Sequence, residues 1–182
     1  MPFSKIAILG TSGSIGPHIL AALLETFPVS AITILTREGS NSPLTYPAGL
    51  RLISLPSYSD KDGLKGVLQG HDILISALPA AVALQLEPTI VQASIEAGVR
   101  RFMPSEYTLD VTQSTVRSLV AGGGAPPLIK VRVDWADRLV EIAQQGRIEY
   151  TTIVTSGLLD LLLTRGMLGF DLQNQRAVLY DW

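Results

Sequence analysis

Gly10-Thr11-Ser12-Gly13-Ser14-Ile15-Gly16 joins the short apolar run Ile6–Leu9 to a segment whose apolar residues recur with helical spacing. Glycines at this spacing between a strand and a helix are typical of a loop that binds a dinucleotide. The first permits a tight turn, the second lets the backbone approach the pyrophosphate, and the third lets the helix pack closely on the strand. N–H groups at the helix start then attract the anion. The loop therefore predicts dinucleotide binding, against the alternative of a structural turn without a ligand.

Outward from this loop, short apolar runs alternate with helical segments along the chain. Strands are predicted at residues 6–9, 32–35, 50–55, 72–75, 101–103 and 150–154. Helices are predicted at residues 14–27, 60–69, 80–97 and 133–143, with a loop before the last helix that includes residues 122–127. Six alternations favour an α/β fold with a doubly wound parallel sheet, the Rossmann arrangement. After Thr155 the rhythm breaks into a helical segment at 158–163 and a strand-like segment at 177–180.

The composition excludes several classes of function. The 182 residues carry a net charge of −2 without a cluster of Lys or Arg, so direct nucleic-acid binding is not expected. The absence of cysteine excludes disulfides and thiol nucleophiles, and the two histidines, His18 and His71, have no metal-binding spacing. Pro79 and Gln85 interrupt the longest apolar stretch, which is too short to span a membrane. We therefore expect a soluble cytoplasmic protein without a metal site.

The end of the second predicted strand indicates which dinucleotide is preferred. NAD sites usually place a carboxylate here, to bind the ribose 2′-hydroxyl. This sequence has Thr36 at that position, followed by Arg37, whose guanidinium suits the 2′-phosphate of NADP(H). In the alternative interpretation, Arg37 is a surface residue paired with Glu38 or Glu25. We favour NADP(H) as the cofactor.

Polar and proline-rich junctions follow two further strands of the predicted sheet. Ser76-Ala77-Leu78-Pro79 follows the fourth strand and Pro104-Ser105-Glu106-Tyr107 follows the fifth. Ligands of a doubly wound sheet gather at the carboxyl ends of its strands. The junctions, the glycine-rich loop and Arg37 are therefore expected to form one cleft. Leu78, Pro79, Ser105 and Glu106 join the loop residues and Arg37 as predicted cofactor-binding residues.

On three blocks, the sequence resembles the NmrA-like and isoflavone-reductase-like branch of atypical short-chain dehydrogenases. The blocks are Gly10–Gly16, Leu35-Thr36-Arg37-Glu38, and the specific string Ala97-Gly98-Val99-Arg100-Arg101-Phe102-Met103-Pro104-Ser105-Glu106-Tyr107. The resemblance implies an N-terminal NADP-binding domain and a smaller substrate lobe. It also implies hydride transfer from NADPH to a small, often aromatic or phenolic substrate, with Ser105 and Glu106 near the nicotinamide.

The resemblance further implies a lysine that acts as general acid or base. Lys130-Val131-Arg132-Val133 matches the Lys-Val-x-Val start of the family's helix, which favours Lys130 as the catalytic residue. Counting back without gaps from Tyr150 places Arg132 there instead, and an arginine is a poor proton shuttle. Lys130 is alternatively a solvated residue paired with Asp134. The choice between Lys130 and Arg132 stays open at this point.

The domain organisation expected from these arguments has two parts. Residues 1–155 form the NADP-binding Rossmann domain, and residues 156–182 form the truncated beginning of a substrate-binding lobe, since the family's chains continue beyond this point. The expected function is an NADPH-dependent reductase with a small-molecule substrate. The alternatives are a non-catalytic NAD(P)-binding redox sensor and an inactive fragment. No nucleic-acid or membrane partner is expected, and a protein partner or a homo-oligomer is left open.

Overall fold

A parallel six-stranded sheet organises the first part of the chain in a computed structural model that describes residues 3–40, 45–164, 168–171 and 173–178. The spatial order of its strands is β3-β2-β1-β4-β5-β6. This is the order of a doubly wound dinucleotide-binding sheet, so the predicted fold class is confirmed. The strands are β1 (Ile6–Leu9), β2 (Ile32–Arg37), β3 (Arg51–Leu55), β4 (Ile73–Ser76), β5 (Arg101–Met103) and β6 (Glu149–Tyr150).

Helices cover both faces of this sheet. They are α1 (Gly16–Thr26), α2 (Lys61–Leu68), α3 (Ala80–Glu96), α4 (Ser114–Ala121) and α5 (Pro127–Gln144). Successive side chains of β1 alternate between two cores, as expected for a strand buried on both faces. Ala7 and Leu9 belong to a core shared with α2, α3 and α5, whereas Ile6 and Ile8 belong to a core shared with α1.

Local sequence signals explain where several helices begin and end. The side chain of Asp60 caps α2 by accepting a hydrogen bond from the backbone N–H of Gly63 at 3.0 Å. Pro127 occupies the first position of α5, where its missing N–H costs nothing. Helix α3 ends before Gly98, whose φ of +79° suits the left-handed turn that closes a helix.

Two elements differ from the sequence-based prediction. Helix α4 forms where the sequence predicts a loop: its apolar residues Val116, Leu119 and Val120 have helical spacing, although none of its residues is buried. Of the predicted strand at 150–154, Tyr150 lies in β6; Thr151 still donates its N–H to the carbonyl oxygen of Phe102 in β5 at 3.1 Å, but residues 151–154 are not in a strand and that part of the prediction was wrong. Ile153 and Val154 are exposed there despite their high β-propensity, because they have no neighbouring strand against which to pack.

The chain divides into two compact units. The first comprises Met1–Ser105 and Val111–Thr152, and the second comprises Glu106–Asp110 and Ile153–Trp182. The second unit contains α6 (Leu159–Thr164) and an antiparallel pair, β7 (Phe170–Asp171) and β8 (Arg176–Ala177). Helix α6 confirms the predicted helical segment at 158–163. Of the predicted strand at 177–180, residue 177 lies in β8, and residues 179–180 lie outside the described residues.

A helix that spans a membrane needs about 20 predominantly apolar residues. Among the described residues, no helix combines the length and the apolar character that a membrane span requires.

Candidate functional site

The glycine-rich loop lies at the carboxyl end of β1, where its shape depends on the absence of side chains. Gly10 has a φ of +80°, and a Cβ placed on it would lie 2.4 Å from the carbonyl oxygen of Ala77. A Cβ on Gly16 would lie 2.1 Å from the carbonyl oxygen of Gly10. Both contacts are too short for a real carbon atom, so these two glycines are required by the fold itself. Gly13 has more room, since a Cβ there would lie 3.3 Å from its nearest neighbour, the carbonyl oxygen of Gly10.

The first turn of α1 suits an anion. No side chain caps this helix, and its first turn contains no acidic residue, so no carboxylate competes for the positive end of the helix dipole. The loop backbone leads directly into this turn. Pro17 in this turn has no N–H, and the N–H groups of His18 and Ile19 donate to the carbonyl oxygen of Ile15, so a diphosphate placed here would meet the backbone of the preceding loop.

A cavity of about 270 Å³ opens beside the loop and brings together most of the predicted cofactor residues. Of these residues, the lining includes Gly10, Thr11, Ser12, Gly13, Arg37, Leu78 and Pro79. They come from three separate junctions, which follow β1, β2 and β4. The expectation that these junctions meet at one edge of the sheet therefore holds for this set.

Arg37 is exposed at the end of β2, beside Thr36, and both line the cavity. Its guanidinium makes no ion pair with any residue in the described part of the chain, so the alternative pairing with Glu38 or Glu25 is not observed. A cation beside a cavity and not engaged with an acidic side chain can bind an anionic group of a ligand.

Two tyrosines that no sequence pattern indicates line the same cavity. Tyr58 is buried and donates its hydroxyl hydrogen to the carbonyl oxygen of Leu35 at 2.8 Å. Burial raises the pKa of Tyr58 to about 12, although the nearby charge of Arg37 acts in the opposite direction. The hydroxyl of Tyr46 lies 2.9 Å from that of Thr11, in the glycine-rich loop. The separation of 35 residues between Thr11 and Tyr46 follows no local pattern, so no sequence signal identified this pair.

Ser105 lies behind the cavity wall and belongs to a buried polar network that includes Glu87. Its hydroxyl accepts a hydrogen bond from the backbone N–H of Leu78 at 3.0 Å and donates one to Ser76 Oγ at 2.8 Å. The carboxylate of Glu87, on α3, accepts from the backbone N–H of Ser105 at 2.8 Å and from Trp135 Nε1 at 2.9 Å. Glu87 was not identified from the sequence, since it immediately precedes Pro88 in a helix with a weak periodic pattern.

The remaining predicted residues do not line this cavity. Ser14, Ile15 and Gly16 continue the loop into α1 without being among its lining residues. Glu106 is buried in the second unit, where its carbonyl oxygen accepts from the backbone N–H of Thr108 at 2.9 Å. Their roles in cofactor binding stay predictions.

Neither candidate for the catalytic residue lines the cavity. Lys130 is exposed near the start of α5, and its Nζ lies 2.6 Å from Asp134 Oδ2. This is the solvated pair that the sequence allowed as the alternative to catalysis. Arg132 is 3% exposed, on the inner side of α5. Lys130 and Arg132 thus differ in burial, and neither of them lines the cavity.

The histidines have structural surroundings, and the described residues contain no group of His, Cys, Asp and Glu suited to a metal ion. His71 is buried, with Nδ1 3.3 Å from the carbonyl oxygen of Leu68 and Nε2 2.9 Å from Thr33 Oγ1. Because a carbonyl only accepts, Nδ1 carries the proton and Nε2 accepts from Thr33 in the neutral ring. His18 is exposed on α1.

Solved structures of reductases share this fold. The triphenylmethane reductase of Citrobacter sp. has a TM-score of 0.66 at 20% identity, and the match covers 90% of this chain and 53% of that one. The binary complex of leucoanthocyanidin reductase with NADPH from Vitis vinifera has a TM-score of 0.58 at 18% identity, covering 82% and 49%. At these identities the likeness concerns the fold alone.

Sequence comparison identifies the family. Oxidoreductase aprR of Aspergillus flavus is 27% identical over 177 residues, which are 97% of this chain and 56% of that protein. Isoflavone reductase of Pisum sativum is 35% identical over 124 residues, which are 59% of this chain and 39% of that protein. The chain thus spans about half or less of the length of these relatives. The sequence model of the NmrA-like family matches residues 2–121, more than half of the 182 residues, so this chain belongs to the NmrA-like family.

Proposed function

We propose that this chain carries the coenzyme-binding part of an NADPH-dependent reductase whose substrate is a small aromatic or phenolic molecule. The observation that carries the proposal is that the glycine-rich loop and the guanidinium of Arg37 line one cavity at the carboxyl edge of the sheet. A loop without side chains accommodates a diphosphate, and a cation one strand away accommodates a 2′-phosphate.

Each part of the site has a role in this proposal. The backbone of residues 10–16 and the start of α1 hold the diphosphate, and Arg37 binds the 2′-phosphate. Leu78 and Pro79 line the cavity, and Ser105 and Glu106 are proposed to lie toward the nicotinamide. NADPH supplies a hydride when bound. The protein has to orient the nicotinamide ring and exclude water around it.

Lys130 is the proposed general acid or base of the reaction. An ammonium group can donate a proton to a substrate oxygen, which Arg132 cannot do near neutral pH. In the present arrangement Lys130 pairs with Asp134, so this pair has to open before Lys130 reaches a substrate. Such surface pairs are weak, about 0–1 kcal/mol, and their opening is a small barrier.

The related proteins support the reductase class. The names of the Aspergillus and pea relatives describe an oxidoreductase and an isoflavone reductase, and the grape reductase was solved with NADPH. A cytoplasmic location and a protein partner or homo-oligomer remain predictions from the sequence.

Two measurements test the proposal. Isothermal titration calorimetry with NADP⁺ and NAD⁺ should show saturable binding, tighter for NADP⁺. Oxidation of NADPH, followed at its absorbance band, should then depend on an added aromatic ketone or enone from a panel. Absence of saturable uptake of both coenzymes would refute the coenzyme site, and uptake without turnover on any substrate would refute the reductase assignment.

A second candidate function is a non-catalytic sensor of the NADP⁺/NADPH ratio. It is favoured by one observation, that neither Lys130 nor Arg132 lines the cavity. A sensor has to bind the two redox forms with different affinities, since a ligand that binds two states equally shifts no equilibrium. Equal dissociation constants for NADP⁺ and NADPH would exclude this function.

A further inference from the structure

A carboxylate lies buried behind the candidate coenzyme site and has no role in the proposed function. Glu87, on α3, is 1% exposed and belongs to the core-facing side of that helix. Burial raises the pKa of Glu87, and hydrogen bonds from Ser105, Ser76 and Trp135 act in the opposite direction by stabilising the carboxylate. A buried acid is retained without large cost only where donors of this kind surround it.

A series of hydrogen bonds connects the cavity wall to this carboxylate. The backbone N–H of Leu78 donates to Ser105 Oγ at 3.0 Å, and Ser105 Oγ donates to Ser76 Oγ at 2.8 Å. The side chains of Ser76 and Ser105 both act on the carboxylate of Glu87 and lower its pKa, and the backbone N–H of Ser105 donates to Glu87 Oε1 at 2.8 Å. The Ser105 hydroxyl has a single hydrogen, and because it donates that hydrogen to Ser76 it presents a lone pair to the N–H of Leu78.

This series of hydrogen bonds reaches Leu78, where the cavity wall and the glycine-rich loop meet. Leu78 lines the cavity, and its neighbour Ala77 donates its N–H to the carbonyl oxygen of Leu9 at 3.0 Å. Gly10 packs so closely on the carbonyl of Ala77 that no side chain fits between them. A displacement of residues 77–78 therefore moves the loop directly.

We propose that Glu87 is a positioning residue for the coenzyme, acting through Ser76 and Ser105 to hold the backbone at Ala77 and Leu78 against the glycine-rich loop. This inference rests on the proposed function, since it assumes that the loop binds NADP(H). Helices α3 and α5 then contribute to coenzyme binding, although both are far from the glycine-rich loop in the sequence. Trp135, on α5, is the fixed donor that holds the other carboxylate oxygen.

The test compares coenzyme affinity with folding stability in the full chain. Glu87→Gln keeps the size of the side chain but turns one acceptor into a donor, which faces either the Ser105 N–H or the Trp135 indole N–H. We expect the dissociation constant for NADP⁺ to rise on the order of tenfold, as for one lost hydrogen bond to a charged group. Ser76→Ala removes the acceptor of the Ser105 hydroxyl without touching the cavity, and it should raise the dissociation constant for NADP⁺ similarly.

A rescue variant distinguishes positioning from general loosening of the core. Trp135→Phe removes the indole donor, so the glutamine amide of Glu87→Gln then has no opposing N–H. We expect the double variant Glu87→Gln/Trp135→Phe to bind NADP⁺ within about threefold of Trp135→Phe alone. Glu96→Gln, on the same helix, is the matched control, because it loses the surface pairs with Lys61 and Lys65 and should leave the affinity unchanged.

The outcomes separate the two proposals. If the wild-type chain takes up no NADP⁺, the proposed function fails. If the wild type binds and both Glu87→Gln and Ser76→Ala bind equally well, while their melting temperatures fall, Glu87 is only a structural residue and the inference is overturned. If Glu87→Gln does not fold, the affinity of folded Ser76→Ala decides, with wild-type affinity overturning the inference.

Discussion

Arg37 extends from the end of β2 into solvent beside the cavity, and no ion pair with an acidic side chain neutralises it among the described residues. Arg37→Glu replaces attraction for a 2′-phosphate by repulsion. A hydrogen bond to a charged group contributes about 1.5–3 kcal/mol, so the dissociation constant for NADP⁺ should rise roughly 10- to 100-fold. The constant for NAD⁺, which lacks this phosphate, should change by less than about threefold on the same scale.

Calorimetry with both coenzymes checks this prediction. Arg51→Glu is a suitable control, since Arg51 is exposed on the neighbouring strand β3 and does not line the cavity. Parallel weakening of NADP⁺ and NAD⁺ by Arg37→Glu would show that Arg37 does not bind the 2′-phosphate.

His71 makes the stability of the fold depend on pH. Burial lowers its pKa below the usual 6.5, so the unfolded chain binds a proton more readily than the folded one. Stability therefore decreases as the pH falls below about 6.5. We expect the melting temperature of the wild type to decrease more between pH 7.5 and 5.5 than that of His71→Gln.

His18→Gln is the matched control for this titration, because His18 is the other histidine of the chain and is exposed. Its melting temperature should follow the wild type across the same range. The buried acid Glu87 has a raised pKa and favours the folded state at low pH, so the difference between the variants isolates His71. Equal pH dependence in all three proteins would contradict the prediction.

Individual site residues were predictable where the signal is local. The loop glycines, Arg37, Leu78 and Pro79 each stand at a strand end that the sequence marks, and the structure brings most of them to one cavity. Glu87 and Tyr46 act through partners 18 and 35 residues away, Ser105 and Thr11 respectively. No spacing rule connects such residues, because only the sheet topology makes them neighbours.

At the scale of elements, two glycines of the loop are needed for different reasons: Gly10 for folding and Gly13 for coenzyme binding. Gly10→Ala places a side chain at a positive φ, with its Cβ only 2.4 Å from the carbonyl oxygen of Ala77, which should lower the free energy of unfolding by about 2–6 kcal/mol. Gly13→Ala meets only contacts of 3.3 Å or more and should cost about 1 kcal/mol. Its methyl group nevertheless stands between the backbone and a diphosphate, so the affinity for NADP⁺ should fall on the order of tenfold.

Chemical denaturation and calorimetry on the two variants test this separation. Denaturation should show the larger loss for Gly10→Ala, and calorimetry should show weakened binding by a folded Gly13→Ala. Full affinity in Gly13→Ala would mean that the diphosphate does not approach this residue.

Elements buried on one or two faces were predictable, and those without a buried face were not. Strands β1 and β2 and helix α3 carry runs or stripes of apolar residues because they pack in the core. Helix α4 has no buried residue, and its short apolar pattern of Val116, Leu119 and Val120 was not interpreted as a helix. The β-branched residues after Tyr150 gave a false strand signal, because propensity does not supply a neighbouring strand.

For the whole molecule, ligand binding and stability are linked. A ligand that binds only the folded chain stabilises it by about 2.7 kcal/mol at a concentration of 100 times its dissociation constant. For a chain of this size, NADP⁺ should then raise the melting temperature by roughly 5–10 °C. Differential scanning fluorimetry measures this shift, which should fall to roughly 1–6 °C in Arg37→Glu at the same NADP⁺ concentration. An unchanged melting temperature of the wild type would argue against a coenzyme site.

The sequence predicted the architecture because one alternation of strands and helices, repeated along the chain, leaves few arrangements. Parallel strands joined by right-handed crossovers, with a glycine-rich first turn, favour the observed order β3-β2-β1-β4-β5-β6. The alternation breaks after Thr155, whereas the separation of Glu106–Asp110 from the first unit has no comparable signal in the sequence. Glu106–Asp110 joins the second unit through contacts distant in sequence, such as the hydrogen bond from Ser156 N to the carbonyl oxygen of Thr108 at 3.0 Å.

The placement of Arg37 on a different strand from the glycine-rich loop has a consequence for protein engineering. Backbone atoms pack closely around Gly10 and Gly16 in the turn between β1 and α1, so this turn tolerates little change at either glycine. At the end of β2 the backbone pairs with β3, but the side chain of Arg37 is exposed and that of Thr36 is half-buried. Coenzyme preference can therefore be redesigned at two side chains, those of residues 36 and 37, while the scaffold that makes the turn is left intact.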